Sequence, residues 1–155
     1  MSLIQFYEKI PTASEFNALS ESVGWGSTDS KIVEEALQAS IVCVCAYDQE
    51  KIVGFGRLIG DRTMFLYIQD VMVLPDYQGQ KLGTQIMERL LANVQELKKR
   101  NPEIRTYLGA SKGKEKFYER FGFLTREEAD LGRVWFCFNQ LYSVPAISQS
   151  RITEI

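Results

Sequence analysis

Residues Val71-Met72-Val73-Leu74-Pro75 form an apolar run of the kind that makes a strand, and after Asp76-Tyr77 the loop Gln78-Gly79-Gln80-Lys81-Leu82-Gly83-Thr84 leads at once into a helical pattern. Such a junction aims several backbone N–H groups at one spot beside the positive end of a helix dipole, which suits a phosphate or pyrophosphate. Gly79 and Gly83 let the main chain approach such a ligand closely. Two glycines before a helix also make an ordinary strand-to-helix turn, and on these residues alone both readings stand. Proton chemistry is constrained more sharply. The chain has no His, so Ser-His-Asp and Cys-His relays are excluded and the commonest metal ligand is missing. Acid–base work falls to carboxylates, Tyr, Lys, Cys or water. Asp70 stands just before the apolar run, and a second block, Phe117-Tyr118-Glu119-Arg120-Phe121-Gly122-Phe123, carries a tyrosine.

The scaffold that must position these groups is small. The 155 residues, 45% hydrophobic and 25% charged, suffice for one well-filled core, so the chain is expected to be a single domain over 1–155, with its core over about 3–138 and a tail over 139–155. The formal charge of -2 and the lone basic block Lys98-Lys99-Arg100 argue against nucleic acid or a membrane surface as partner. No stretch approaches the roughly 20 apolar residues of a membrane span, and the N-terminus lacks a signal-peptide design. Three cysteines without a C-x-x-C pair suit a reducing compartment, with the cytoplasm as default. Cys43 and Cys45, two apart in an apolar run, fall on one strand face as small core groups, and no electropositive neighbour in the local sequence marks them as reactive thiols.

Hydrophobic periodicity predicts the element order β-α-α-β-β-β-α-β-α-β. A strand at Leu3 to Tyr7 precedes a helix opened by the capping-box spacing Thr12-Ala13-Ser14-Glu15, then a Gly24-Trp25-Gly26 loop, then a helix capped by Asp29 or Ser30. Ile41 to Val73 reads as a three-strand antiparallel meander, and Leu82 to Asn101 as the long helix, with Leu82, Ile86, Leu90, Val94 and Leu97 on one stripe. Thr106 to Leu108 gives a short strand, Lys114 to Arg120 a short helix ended by Gly122, and Val134 to Phe138 a last strand.

The two blocks together resemble the GNAT superfamily of acetyl-CoA-dependent N-acetyltransferases. That family's loop reads Gln/Arg-x-x-Gly-x-Gly/Ala, matched here by Gln78 to Gly83 with Lys81 in place of the usual middle glycine, and its C-terminal signature F-Y-E-x-x-G-F is matched by Phe117 to Phe123. The resemblance implies an α/β, mostly antiparallel, twisted sheet flanked by helices, whose fourth and fifth strands splay apart around acetyl-CoA. It implies main-chain pairing of Val71 and Val73 with the pantetheine, an N–H of Met72 or Val73 at the thioester carbonyl, and pyrophosphate on the amides of Gln80, Lys81, Leu82, Gly83 and Thr84. Phe117 would line the pantetheine channel. Lys114 stands where the family often has an Asn. Lys81 carries a Cβ, so its backbone is expected in a region open to ordinary residues, with its ammonium beside the pyrophosphate or in solvent.

The implied reaction is attack of a small-molecule primary amine on the thioester without an acetyl-enzyme, Tyr118 protonating the departing thiolate and Asp70 acting as base or as a structural hydrogen-bond acceptor. Tyr118 has the alternative of a buried amphipathic core residue. Trp25, Arg57 and Tyr67 are available to an acceptor: Trp25 as a cover or a packing staple, Arg57 as a carboxylate clamp or a solvated charge. No metal is implied. Dimerisation is common in that superfamily, and the sequence names no interface. A CoA-binding sensor without turnover, motivated by Lys81 and Lys114, and an unrelated phosphate-binding domain are the competing readings.

Overall fold

Thr12 and Glu15 complete both halves of the capping box: the Glu15 N–H donates to the Thr12 hydroxyl at 3.2 Å, and the Thr12 N–H donates to the Glu15 carboxylate at 2.7 Å. This start fixes α1, Ala13–Ser22. Asp29 caps α2, Ser30–Gln38, by accepting from the N–H groups of Lys31 and Ile32. The computed structural model describes residues 3–132. These fall into two units divided after Gly109.

In the first unit, β1 (Ile4–Glu8), β2 (Val42–Asp48), β3 (Lys51–Gly60), β4 (Phe65–Val73) and β5 (Arg105–Leu108) form one sheet in sequential order. The first four strands are antiparallel, and β5 runs parallel to β4. The parallel step is made through a 3₁₀ turn at Pro75–Tyr77 and α3, Leu82–Lys98, because two parallel strands need a crossover. The expected helix ran to Asn101. It stops at Lys98 because Asn101 precedes Pro102 and is steered away from helical backbone; its side chain donates instead to the Thr63 carbonyl at 2.7 Å.

Strand alternation sends β3 residues to opposite faces. On one, Gly54 and Gly56 let α3 lie close: a Cβ on Gly56 would stand 2.8 Å from Ile86 Cγ2 and 3.0 Å from Leu90 Cδ1. On the other, Phe55 meets Phe16 edge-on at 5.5 Å, in a core with Leu19, Val33, Leu37, Cys43, Cys45 and Met72. Both cysteines are therefore small buried groups; burial raises the Cys43 thiol and pushes that of Cys45 up to about 12.

The described part of the second unit holds α4, Glu115–Glu119, where Phe117 packs edge-on against Tyr118 and Phe121. The predicted strand Val134 to Phe138 and the tail lie outside the described residues.

Candidate active site

The strand that should bind the acyl donor is broken in its pairing at a definite place. Arg57 is opposite Gln69 but Phe55 is opposite Met72, so β4 spends one residue more than β3 over this interval. The result is a β-bulge with Asp70 at φ 55°, a left-handed conformation that Asp tolerates better than most residues. β5 pairs with β4 only from Phe65 to Ile68. Past Ile68, among the described residues, no strand pairs on that edge of β4.

Which main-chain groups this edge offers follows from alternation. Leu74 N–H donates to the Val53 carbonyl on β3 at 2.9 Å. Met72, two residues back, therefore also turns its N–H and C=O to β3, while Val73, and Val71 by the same alternation, turn theirs to the open edge. Of the two amides expected near an acyl carbonyl, Val73 has this orientation and Met72, with a buried side chain, does not. Gln78 Nε2 donates to the Val73 carbonyl at 3.0 Å, leaving the Val73 N–H on that edge.

The loop continues from this edge. Gly79 adopts φ 79°, Gln80 Nε2 donates to the Asp76 carbonyl at 3.1 Å, and Lys81 stands at the N-cap of α3 with φ 63° and ψ 13°. The expectation of an ordinary backbone region at Lys81 is thus overturned. The loop geometry demands a left-handed residue before the helix, and Lys adopts that conformation despite its Cβ. No side chain caps α3, and the first intrahelical bond to close there runs from Gln85 N–H to Lys81 C=O. Leu82, Gly83 and Thr84, in the first turn, present amides that the helix itself does not satisfy.

On the opposite face from α3, a cavity of about 260 Å³ lies between α1, α2 and the bulge, and its lining includes Phe16, Trp25, Ile32, Arg57 and Asp70. Sequence reasoning singled out Trp25, Arg57 and Asp70, and the fold brings these three together. It missed Phe16, Ser20 and Ala36; Phe16 and Ser20 are one helical turn apart, as are Ile32 and Ala36, and that spacing was the available signal. Trp25 and Ile32 are both exposed, at 50% and 59%. Tyr67 is not among the lining residues; its hydroxyl lies 3.0 Å from where a Cβ on Gly109 would be.

Arg57 is not the solvated charge that one of its two expectations described. Its Nε donates to Asp70 Oδ2 at 2.6 Å and its Nη1 to the Ala36 carbonyl at 2.9 Å, with both side chains of the ion pair largely buried. A carboxylate placed in a bulge away from bulk water needs such a partner, and the guanidinium is used inside the fold.

In the second unit, Lys114 occupies the N-cap position of α4 without a side-chain capping bond, and Phe117 is half-buried. Tyr118 is half-buried too, and burial raises its phenol above the usual tyrosine range.

Known proteins agree with this architecture. The family model described as an acetyltransferase (GNAT) domain matches residues 20–138. The uncharacterized N-acetyltransferase ycf52 of Gracilaria tenuistipitata var. liui is 32% identical over 79% of this chain and 67% of its own. Histone acetyltransferase TAP1 of Glycine max is 28% identical over 79% of this chain and 56% of its own. Among solved structures, a GNAT-family acetyltransferase from Streptococcus pneumoniae is 30% identical with a TM-score of 0.69 over 88% of this chain and 98% of its own. A probable acetyltransferase from Staphylococcus aureus reaches a TM-score of 0.77 at 28% identity, over 88% of this chain and all of its own. The chain belongs to the GNAT acetyltransferase family, and it is an acyltransferase.

Proposed function

We propose that this acyltransferase moves the acetyl group of acetyl-CoA to the primary amine of a small molecule, by direct attack of the amine on the thioester. The observation that carries the reading is one continuous path of main-chain donors: the open edge of β4 at Val71 and Val73 leads through the Gln78–Lys81 loop to the uncapped first turn of α3. An extended pantetheine suits the first part as an added strand would, and a pyrophosphate suits the second. Gln78 and Gly79 shape the loop, the amides from Gln80 to Thr84 take the anion, and Lys81 adds a positive charge beside it. Lys114 and Phe117 are assigned to the pantetheine by the F-Y-E-x-x-G-F resemblance.

The chemistry balances on this chain's residues. Asp70, in the lining of the cavity, takes a proton from the acceptor ammonium directly or through water. The amine nitrogen then bonds to the thioester carbon, and the Val73 N–H donates to the oxygen that gains negative charge. As the carbon–sulfur bond breaks, its electron pair goes to sulfur and Tyr118 supplies the proton, while the second proton on the attacking nitrogen passes through water to restore the phenol; a phenol kept neutral by burial is suited to this. A cavity of about 260 Å³ is at the small end of ligand pockets, which favours a small amine over a polypeptide. Trp25 at its mouth is the acceptor contact assigned here. Buried free thiols at Cys43 and Cys45 support a reducing compartment such as the cytoplasm.

Calorimetric titration of acetyl-CoA and CoA, with a thiol-release assay over small amines and a lysine-containing peptide, tests the proposal. One-site binding and turnover of a small amine are expected. Turnover of the peptide alone would reassign the acceptor, binding without any turnover would point to a sensor, and failure to bind acetyl-CoA would refute the reading.

A further inference from the structure

Arg57 stands at a junction of three elements. It belongs to β3; its Nε meets Asp70 on the β4 bulge at 2.6 Å; and its Nη1 meets the Ala36 carbonyl in the last turn of α2 at 2.9 Å. That carbonyl is among the last four of the helix, which have no intrahelical donor, and it sits at the negative end of the α2 dipole, where a cation is favoured. Ser40 closes the arrangement: its hydroxyl donates to the same carbonyl at 3.2 Å and accepts from Arg57 Nη1 at 3.4 Å. The planar fork of the guanidinium holds two partners in fixed directions, which a lysine ammonium on a flexible stem does not reproduce.

The elements so joined are the two sides of the proposed reaction. α2 supplies Ile32, Val33, Ala36 and Leu37 to the cavity wall, while the bulge of β4 sets both the Asp70 carboxylate and the strand edge that begins at Val71. We propose that Arg57 is a positioning residue: it fixes the acceptor-cavity wall on α2 to the bulge of β4, so that Asp70 and the acyl-binding edge keep one place relative to a bound amine. The inference rests on the acetyltransferase reading for its catalytic consequence, and on the hydrogen bonds alone for its mechanical one.

Hydrogen exchange in ligand-free protein reads the mechanical part. Asp70→Asn alters β4, where the carboxylate accepts from Arg57, yet it should speed exchange of amides near the end of α2 by about tenfold relative to those of Leu90 and Val94 in α3. Arg57→Met should do the same and Arg57→Lys should recover little of it. The catalytic part is read on an amine identified in the panel. Both Arg57 variants should lose about tenfold or more in kcat, while the KM for acetyl-CoA stays within about threefold. Exchange in α2 that keeps its wild-type ratio to α3, or full recovery of kcat by Arg57→Lys, overturns the proposal. If acetyl-CoA does not bind the wild-type protein, the acetyltransferase reading falls, and the exchange measurement still decides the role of Arg57.

Discussion

Gln78 donates through its side-chain amide to the carbonyl of Val73, 3.0 Å away and five residues earlier in the chain. The loop after β4 is thereby folded back on the strand end that precedes it. Without this bond the Val73 carbonyl on the open edge would need water or a ligand donor. The contact orders the loop before any ligand arrives, which lowers the entropic cost of binding.

Asp70→Asn separates the charge of the carboxylate from the backbone shape of the bulge, since Asn tolerates the left-handed conformation as Asp does. Steady-state kinetics should show kcat lower by about 10²-fold or more, with calorimetric acetyl-CoA affinity nearly unchanged. The loss of a buried ion-pair partner should cost about 2–4 kcal/mol in denaturant unfolding. Wild-type turnover would remove Asp70 from the mechanism.

Tyr118→Phe deletes only the hydroxyl. With Tyr118 as the acid, kcat should fall by about 10²-fold with little change in KM. The protonated phenol is the active form, and burial raises its pKa, so the pH range in which it can act is extended upward. No alkaline fall in wild-type kcat below about pH 10 should belong to this group. A fall at lower pH that vanishes in the variant would contradict the assignment.

At Lys81 two replacements should diverge. Glycine adopts the left-handed backbone freely, so Lys81→Gly should keep or raise the melting temperature; valine is poorly suited to it, and Lys81→Val should lose about 1–2 kcal/mol. Retention of acetyl-CoA binding by Lys81→Gly within a few-fold would assign the loop's affinity chiefly to its amides, and a large salt-sensitive loss would assign it to the ammonium.

Gly56→Ala tests how α3 is seated. The added methyl would meet Ile86 Cγ2 at 2.8 Å and Leu90 Cδ1 at 3.0 Å, both buried, so the helix must lift or the side chains must leave their rotamers. Thermal unfolding should show a loss of about 1–3 kcal/mol. An unchanged midpoint would mean that this layer has slack.

The order of elements as far as α4 was legible because each carries its own local signal: the Thr12–Glu15 box, the Asp29 cap, the stripe at four-residue spacing from Leu82 to Val94 and the apolar strand runs. The loop from Gln78 to Thr84 was legible as a candidate anion cradle for the same reason. What the sequence concealed is non-local. The partnership of Arg57 with Asp70 and Ala36 depends on three segments meeting, and the orientation of Met72 depends on the register with β3. The left-handed Lys81 concealed itself in a different way, because the residue type argues against the backbone it adopts. Asn17 carried no signal either, yet it donates to the Thr28 carbonyl at 2.8 Å and accepts from the Thr28 N–H at 3.0 Å.

That double bond to Thr28 has a counterpart at the other end of the same loop, where the Trp25 N–H donates to the Ser20 carbonyl at 2.9 Å. Between the two anchors only Gly26 and Ser27 remain, and Trp25 and Thr28 both face the cavity. The stretch is hung from α1 at both ends and belongs to no strand of the sheet. Under the proposed function, replacing residues 25–28 while leaving Asn17 and Ser20 in place should change the choice of acceptor without disturbing the strand edge or the loop at α3.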